Sequence, residues 1–268
     1  MEKLTPENLR DAFAKLQTAG FDAVVVGGQA VNLWACRYCD RAPNLNTYLP
    51  FSSEDLDFYG GKVEAVTCQS VLGGEIILNQ DFDPSPNAGI VLADYQDRRL
   101  RIDFLASVYG LNDAEITGTA LTFSGIEQLA GIQLKVLHPV LCLEGKLRSL
   151  RGLPQSNRQD LKHANILILC VREFLIDLVL ETPARPGLKL IERILSSALR
   201  EDGLSAWSRH GIEIEAAIPT EQLQQLEDPK WQNFYQIRWP QALEQVDAKR
   251  RRYQAIISRY SSTNVQEQ

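Results

Sequence analysis

The segment Ser53-Glu54-Asp55-Leu56-Asp57-Phe58 sets two carboxylates at alternate positions of a short run. Side chains of a strand alternate between its faces, so Asp55 and Asp57 share one face, about 7 Å apart along the backbone. Asp103 sits in a second alternating run, Leu100 to Leu105, with apolar neighbours on either side. If the two runs lie side by side, three carboxylates converge on one small volume. Their mutual repulsion is ordinarily relieved by a divalent cation. Hard oxygen ligands suit magnesium or manganese, and those metals most often hold phosphates. The residues therefore point to metal-dependent phosphate chemistry.

The elements around these residues follow from local pattern. Thr5-Pro6-Glu7 reads as a helix start, and Leu9, Ala12, Phe13 and Leu16 recur at helical spacing up to Gly20. Phe21 to Val26 is an apolar, β-branched strand, closed by Gly27-Gly28, and a second helix is expected from Gln29 to Trp34. Residues 36 to 53 read as a long loop. Beyond it come a strand over Asp55–Tyr59, a Gly60-Gly61 turn, a helix near Val63–Val71 and a strand over Glu75–Leu78. Ile90–Ala93, the turn Asp94–Asp97 and Arg99–Ala106 make a hairpin, and Leu121–Phe123 and Gln133–Leu137 read as short edge strands. After His138-Pro139 the texture turns helical: Val140–Leu150, Asn157 to about Leu180, a break at Pro183–Gly187, then Leu188–Leu199, Glu221–Leu226 and Ala242–Tyr260. The expected fold is α/β (α+β), a mixed sheet with flanking helices followed by a mostly helical carboxy-terminal half. The domains expected are 1–135 and 136–268.

A strand, a Gly-Gly turn, a helix, Asp-x-Asp on the next strand and one Asp on a later strand is a layout that resembles the nucleotidyltransferase superfamily. Within it, the chain is most similar to AbiEii-type toxins and related minimal nucleotidyltransferases, over roughly residues 5 to 165. The resemblance implies Asp55, Asp57 and Asp103 as ligands of Mg2+ or Mn2+, with Asp103 also helping to activate an attacking hydroxyl. Gly27 and Gly28 would let backbone amides approach a triphosphate, and Ser53, the polar residue before the Asp-x-Asp, would join them in binding substrate. Two later signals of that branch are a lysine on a helix and an aspartate after a basic residue on the next helix. Lys146 in Leu143-Glu144-Gly145-Lys146-Leu147 and Asp160 in Arg158-Gln159-Asp160-Leu161 match them. Lys146 would neutralise phosphate charge, Asp160 would orient Lys146 or contact base or ribose, and Arg158 would meet phosphate. The bland reading of Lys146 and Asp160 is an exposed ion pair between helices. One departure is Phe51, which stands where relatives often carry an arginine; another is the length of the 36–53 loop. Both bear on the acceptor pocket more than on the metal site.

The activity so implied is transfer of a nucleoside monophosphate from a nucleoside triphosphate to an acceptor hydroxyl on tRNA or another RNA, a protein or a small molecule. A toxin-like role would imply an antitoxin partner. With a net charge of −6, a large nucleic-acid footprint is disfavoured, although Lys135, Lys146, Arg148, Arg151, Arg158, Lys162 and Arg172 cluster against only Glu144 and Asp160. No apolar run is long enough to span a bilayer and no signal-peptide core is visible, so a cytoplasmic protein without membrane contact is expected. Five cysteines fit reduced thiols, and Cys36-Arg37-Tyr38-Cys39 reads as structural because no second pair completes a zinc site. His138 reads as a turn residue, and His163 and His210 lack metal-ligand spacing. Lys249-Arg250-Arg251-Arg252 reads as a basic run near the end of the last helix. Two competing readings are a binding protein that keeps the fold without catalysis and a thiol-redox protein. What separates enzyme from binding protein is whether all three carboxylates converge with open metal positions; if Asp103 faces the core or pairs with Arg101, the enzyme reading falls. A redox role requires two close sulfurs, one of them exposed.

Overall fold

The structure, a computed structural model, describes residues 3–80, 84–95 and 98–265. It is mixed α/β, with a seven-stranded sheet, flanking helices and a mostly helical carboxy-terminal half. The strands are β1 (Val24–Val26), β2 (Leu56–Tyr59), β3 (Glu75–Leu78), β4 (Asn87–Tyr95), β5 (Arg98–Leu105), β6 (Leu121–Ser124) and β7 (Gln133–Val136), in the order β3-β4-β5-β2-β1-β7-β6. Both β2–β5 and β1–β7 are parallel; the remaining pairs are antiparallel. The strands that carry the candidate residues, β5, β2 and β1, are the central three. Their register is locked beneath the carboxylates. Phe58 and Phe104 are fully buried and stacked with ring centroids 5.7 Å apart, and Phe21 meets Phe58 edge-on at 5.0 Å. A one-residue slip of β2 or β5 would throw these rings to the opposite face.

Two compact units are present. The first comprises Met1–Ser149 and Gln155–Cys170, the second Leu150–Pro154 and Val171–Gln268. The expected boundary at 135 therefore moves. Helix α5 (Pro139–Gly152) and the first half of α6 (Asp160–Glu181) cluster largely with the sheet. In the first unit, α1 (Arg10–Thr18) and α3 (Lys62–Leu72) fall where helical spacing put them, whereas α2 (Gly27–Tyr38) takes in the glycine pair read as a turn and runs past Trp34. Thr5 and Asn8 hydrogen-bond each other reciprocally at the chain's entry into the first helical turn. The 36–53 loop is only partly a loop, because α2 runs to Tyr38 and a 3-10 turn covers Pro43–Tyr48. Strand β7 is internal, paired on both sides, and not an edge as expected. Helix α4 (Asp113–Thr119), capped by Asn112, was not expected. The hairpin is present, with Gln96 and Asp97 of its turn outside the described residues.

The second unit holds the rest of α6, α7 (Ala184–Leu199), α8 (Glu201–His210), α9 (Thr220–Gln224), α10 (Pro229–Asn233) and α11 (Trp239–Val265). The break expected across Pro183–Gly187 is narrower, since Pro183 caps α7 and Pro186 sits in its first turn, where a missing N–H is harmless. Helix α11 extends well past 252, so the basic run 249–252 lies mid-helix and owes nothing to a helix end. Arg250 is buried there, paired with Glu215 at 2.6 Å and stacked over the Trp207 ring. Among the described residues no helix is long and apolar enough to cross a membrane.

Candidate metal and phosphate site

Strand register brings the candidate carboxylates together. Val26, the last residue of β1, lies opposite Asp57, and Asp57 lies level with Asp103 on the parallel neighbour. Asp55 precedes β2 by one residue and shares the face of Asp57. One oxygen from each of the three carboxylates lies within 4.8 Å of the others. Burial, with Asp55 and Asp103 nearby, pushes the Asp57 carboxyl up to about 7. Burial and Asp103 also raise Asp55. An acidic group driven this far from its ordinary range marks a site that is short of positive charge. Three hard oxygen donors in so small a volume fit a magnesium or manganese ion.

The glycine pair is shaped by the same carboxylate. Gly27 has φ +64°, and a Cβ there would lie 2.0 Å from Asp57 Oδ2. A Cβ on Gly28 would lie 2.5 Å from Ser53 Oγ and 3.2 Å from His163 Cε1. Only glycine permits the backbone to pass this close to Asp57 in that conformation. Helix α2 starts at Gly27 and no side chain caps it, so its first-turn amides stand beside the triad. Ser53 is held by paired backbone bonds to Leu4 (2.7 and 3.0 Å), and Gln159 and Lys162 fasten the preceding carbonyls of Ser52 and Pro50. Those contacts pin the loop whose length was noted from sequence. Phe51 is buried in it and adds no charge.

Lys146 on α5 pairs with Asp160 at 3.0 Å, and Arg158 holds the other Asp160 oxygen at 2.5 Å. The pair is not the exposed one of the bland reading: Asp160 is 1% exposed and Lys146 14%. Burial would raise the Asp160 carboxyl, but Lys146 and Arg158 together hold it below the usual carboxylate range. Lys146 also acts on Asp55 and Asp57, favouring their charged forms. Asp160 thus anchors Lys146 beside the triad. His163, one turn along α6, is buried against Gly28; neither ring nitrogen has a hydrogen-bond partner among the described residues. Burial and then Lys146 push it down to about 3, so it is a neutral imidazole. Nothing in its spacing revealed this position.

Arg101 is the residue whose part sequence reading left undeveloped. It shares a face of β5 with Asp103, and its Nε donates to both Asp103 oxygens at 3.0 and 3.1 Å. Asp103 therefore converges with Asp55 and Asp57 and also pairs with Arg101. The first fact favours a metal centre; the second is the pairing set out above as telling against the enzyme, because it occupies Asp103.

Elsewhere, each of the seven basic residues of the 135–172 stretch has an acidic or carbonyl partner within the chain. These are Asp22 for Lys135, Asp160 for Lys146 and Arg158, Glu144 for Arg148, Glu201 for Arg151, the Pro50 carbonyl for Lys162 and Glu221 for Arg172. The Cys36 thiol points to Glu7 and that of Cys39 to the Cys36 carbonyl. Burial raises both above the ordinary thiol value, the reverse of what a reactive thiolate needs. His138 accepts from the Val140 amide at the start of α5, a structural turn role. Searches of family models, of curated proteins and of solved structures found no match to this chain.

Proposed function

We propose that this chain is a metal-dependent nucleotidyltransferase: an acceptor hydroxyl attacks the α-phosphorus of a nucleoside triphosphate, takes the nucleoside monophosphate and releases pyrophosphate. The observation that carries this reading is the register Val26–Asp57–Asp103, which sets three carboxylates beside an uncapped helix start. Carboxylates alone repel phosphate, and a helix start alone attracts anions of any kind; together they suit a metal-bound polyphosphate. Asp55, Asp57 and Asp103 would hold the ion, which when bound supplies charge neutralisation on the triphosphate and acidifies the attacking hydroxyl. The amides at Gly27 and Gly28, with Ser53 Oγ, would receive phosphate oxygens. Lys146, steadied by Asp160, would meet charge that develops on the phosphates in the transition state. Asp103, once free of Arg101, could take the proton of the incoming hydroxyl. An acceptor of small size fits a chain whose basic stretch is already paired internally, although an RNA end or a protein hydroxyl would use the same chemistry.

A second reading, a binding protein that keeps this architecture without catalysis, is favoured by one observation, the Arg101–Asp103 pair. Transfer of label from the four α-labelled nucleoside triphosphates into a cell extract separates the two. The enzyme reading expects label in RNA, protein or a small molecule with magnesium or manganese present, and none with an Asp57→Asn variant. Folded protein that transfers from no nucleotide would favour the binding protein.

A further inference from the structure

Arg101 is the only basic side chain described in direct contact with the triad, and it sits where a metal ligand should be free. Its position follows from the strand. Residues 101 and 103 point the same way on β5, so a long cationic side chain at 101 reaches a carboxylate at 103 without distortion. Arg101 also weighs on its neighbours, because its charge favours the ionised forms of both Asp55 and Asp57. It is 36% exposed at the side chain, whereas Asp103 is 6% exposed. The carboxylate is thus fixed and the guanidinium has room to leave.

We propose that Arg101 is a displaceable counter-ion: it holds Asp103 while the triad lacks a metal, yields Asp103 to an incoming divalent cation, and then serves the anionic end of the metal-bound ligand. This inference rests on the metal-site reading above. While Arg101 Nε bonds both oxygens of Asp103, it competes for them with a divalent ion. The ion offers more charge in less volume and finds two further carboxylates within 4.8 Å. A guanidinium released from Asp103 remains on the triad face of β5, where phosphate oxygens are its natural partner.

The signature is a pair of opposite effects. Manganese affinity would be measured on the full chain by electron paramagnetic resonance of the free ion. Polyphosphate affinity would be measured by calorimetry with a preformed magnesium–tripolyphosphate complex, which avoids any choice of base. Replacing Arg101→Gln removes the competitor and should tighten manganese by about fivefold, the scale of one partly exposed charge interaction. The same change should weaken magnesium–tripolyphosphate by about fivefold. Arg101→Lys keeps the charge but loses the planar donor group that bonds Asp103; it should tighten manganese less and keep tripolyphosphate within about twofold of wild type. A residue that merely buttresses Asp103 would, when removed, weaken both ligands. Manganese binding that is unchanged or weaker in both variants overturns the inference, as does a shift of both ligands in the same direction. Should wild type itself bind no manganese in a manner that Asp57→Asn abolishes, the metal site fails and the inference with it.

Discussion

Asp57→Asn should stabilise the metal-free protein at neutral and alkaline pH, although it removes a residue from the proposed site. The folded chain holds the Asp57 carboxyl at about 7 against an ordinary value of 3.8, because of burial first and then the charges of Asp55 and Asp103. The gap of about 3 units corresponds to about 4 kcal/mol, at about 1.4 kcal/mol per unit. Asp57 is partly exposed, so about 2 kcal/mol is the better figure after screening. Well below pH 3.8 both folded and unfolded chains carry the proton and the group contributes nothing. Between pH 4 and 7 the unfolded chain releases its proton while the folded chain keeps it, so stability falls as pH rises. Above pH 7 the full penalty is in place. Asparagine cannot ionise, so the variant escapes it. Thermal unfolding in EDTA should show the variant close to wild type at pH 4 and about 4–8 °C higher at pH 8. Millimolar manganese should raise wild type at pH 8 and leave the variant unmoved. A variant less stable than wild type at pH 8, or an offset equal at both pH values, would refute the electrostatic account of the triad.

Other consequences are as direct. Gly27→Ala should lose about 1–3 kcal/mol, because its Cβ meets Asp57 Oδ2 at 2.0 Å with φ +64°, and denaturant unfolding will register it. Asp160→Asn leaves Lys146 without its charged anchor and should cost about 1–3 kcal/mol near neutral pH, since Lys146 and Arg158 are both partly exposed. The deficit relative to wild type should shrink as pH falls below the ordinary carboxylate value, where wild type too loses the charge that its partners stabilise. His163→Leu should reduce acid sensitivity: the folded chain keeps this imidazole neutral down to about 3, so wild type loses stability as pH falls from about 6.5 and the variant does not. Equal acid unfolding midpoints for the two would count against the buried neutral histidine.

The triad was legible because alternation within β2 and β5 is a local property. Asp55 and Asp57 needed only spacing, and Asp103 only its apolar flanks. That the two strands pair level with each other is a long-range fact, and the clue to it was the matching Phe58 and Phe104 one residue beyond each aspartate. The Arg101–Asp103 contact was visible as an i, i+2 spacing, yet its occurrence depends on which neighbours compete for the carboxylate. Strand β7 was misread as an edge because Gln133 and Lys135 alternate with Leu134 and Val136, a pattern that suits one open side. Both its neighbours bond to the backbone, and its polar side chains still reach solvent. Pro186 and Gly187 read as a break, since composition does not tell a first turn from an interior. Gly187 is needed for another reason: a Cβ there would meet the Trp231 ring at 2.8 Å. The place of His163 against Gly28 rests on how α6 meets the start of α2, which no local pattern encodes.

On the proposed reading, Asp55, Asp57 and Asp103 together hold a divalent ion. Anomalous diffraction at the manganese edge from crystals soaked in manganese chloride tests it most directly. A peak is expected at bonding distance, about 2.0–2.5 Å, from an oxygen of each of the three carboxylates, with the Arg101 guanidinium no longer on Asp103. Fully soaked crystals with no peak there, and Arg101 still on Asp103, would contradict it.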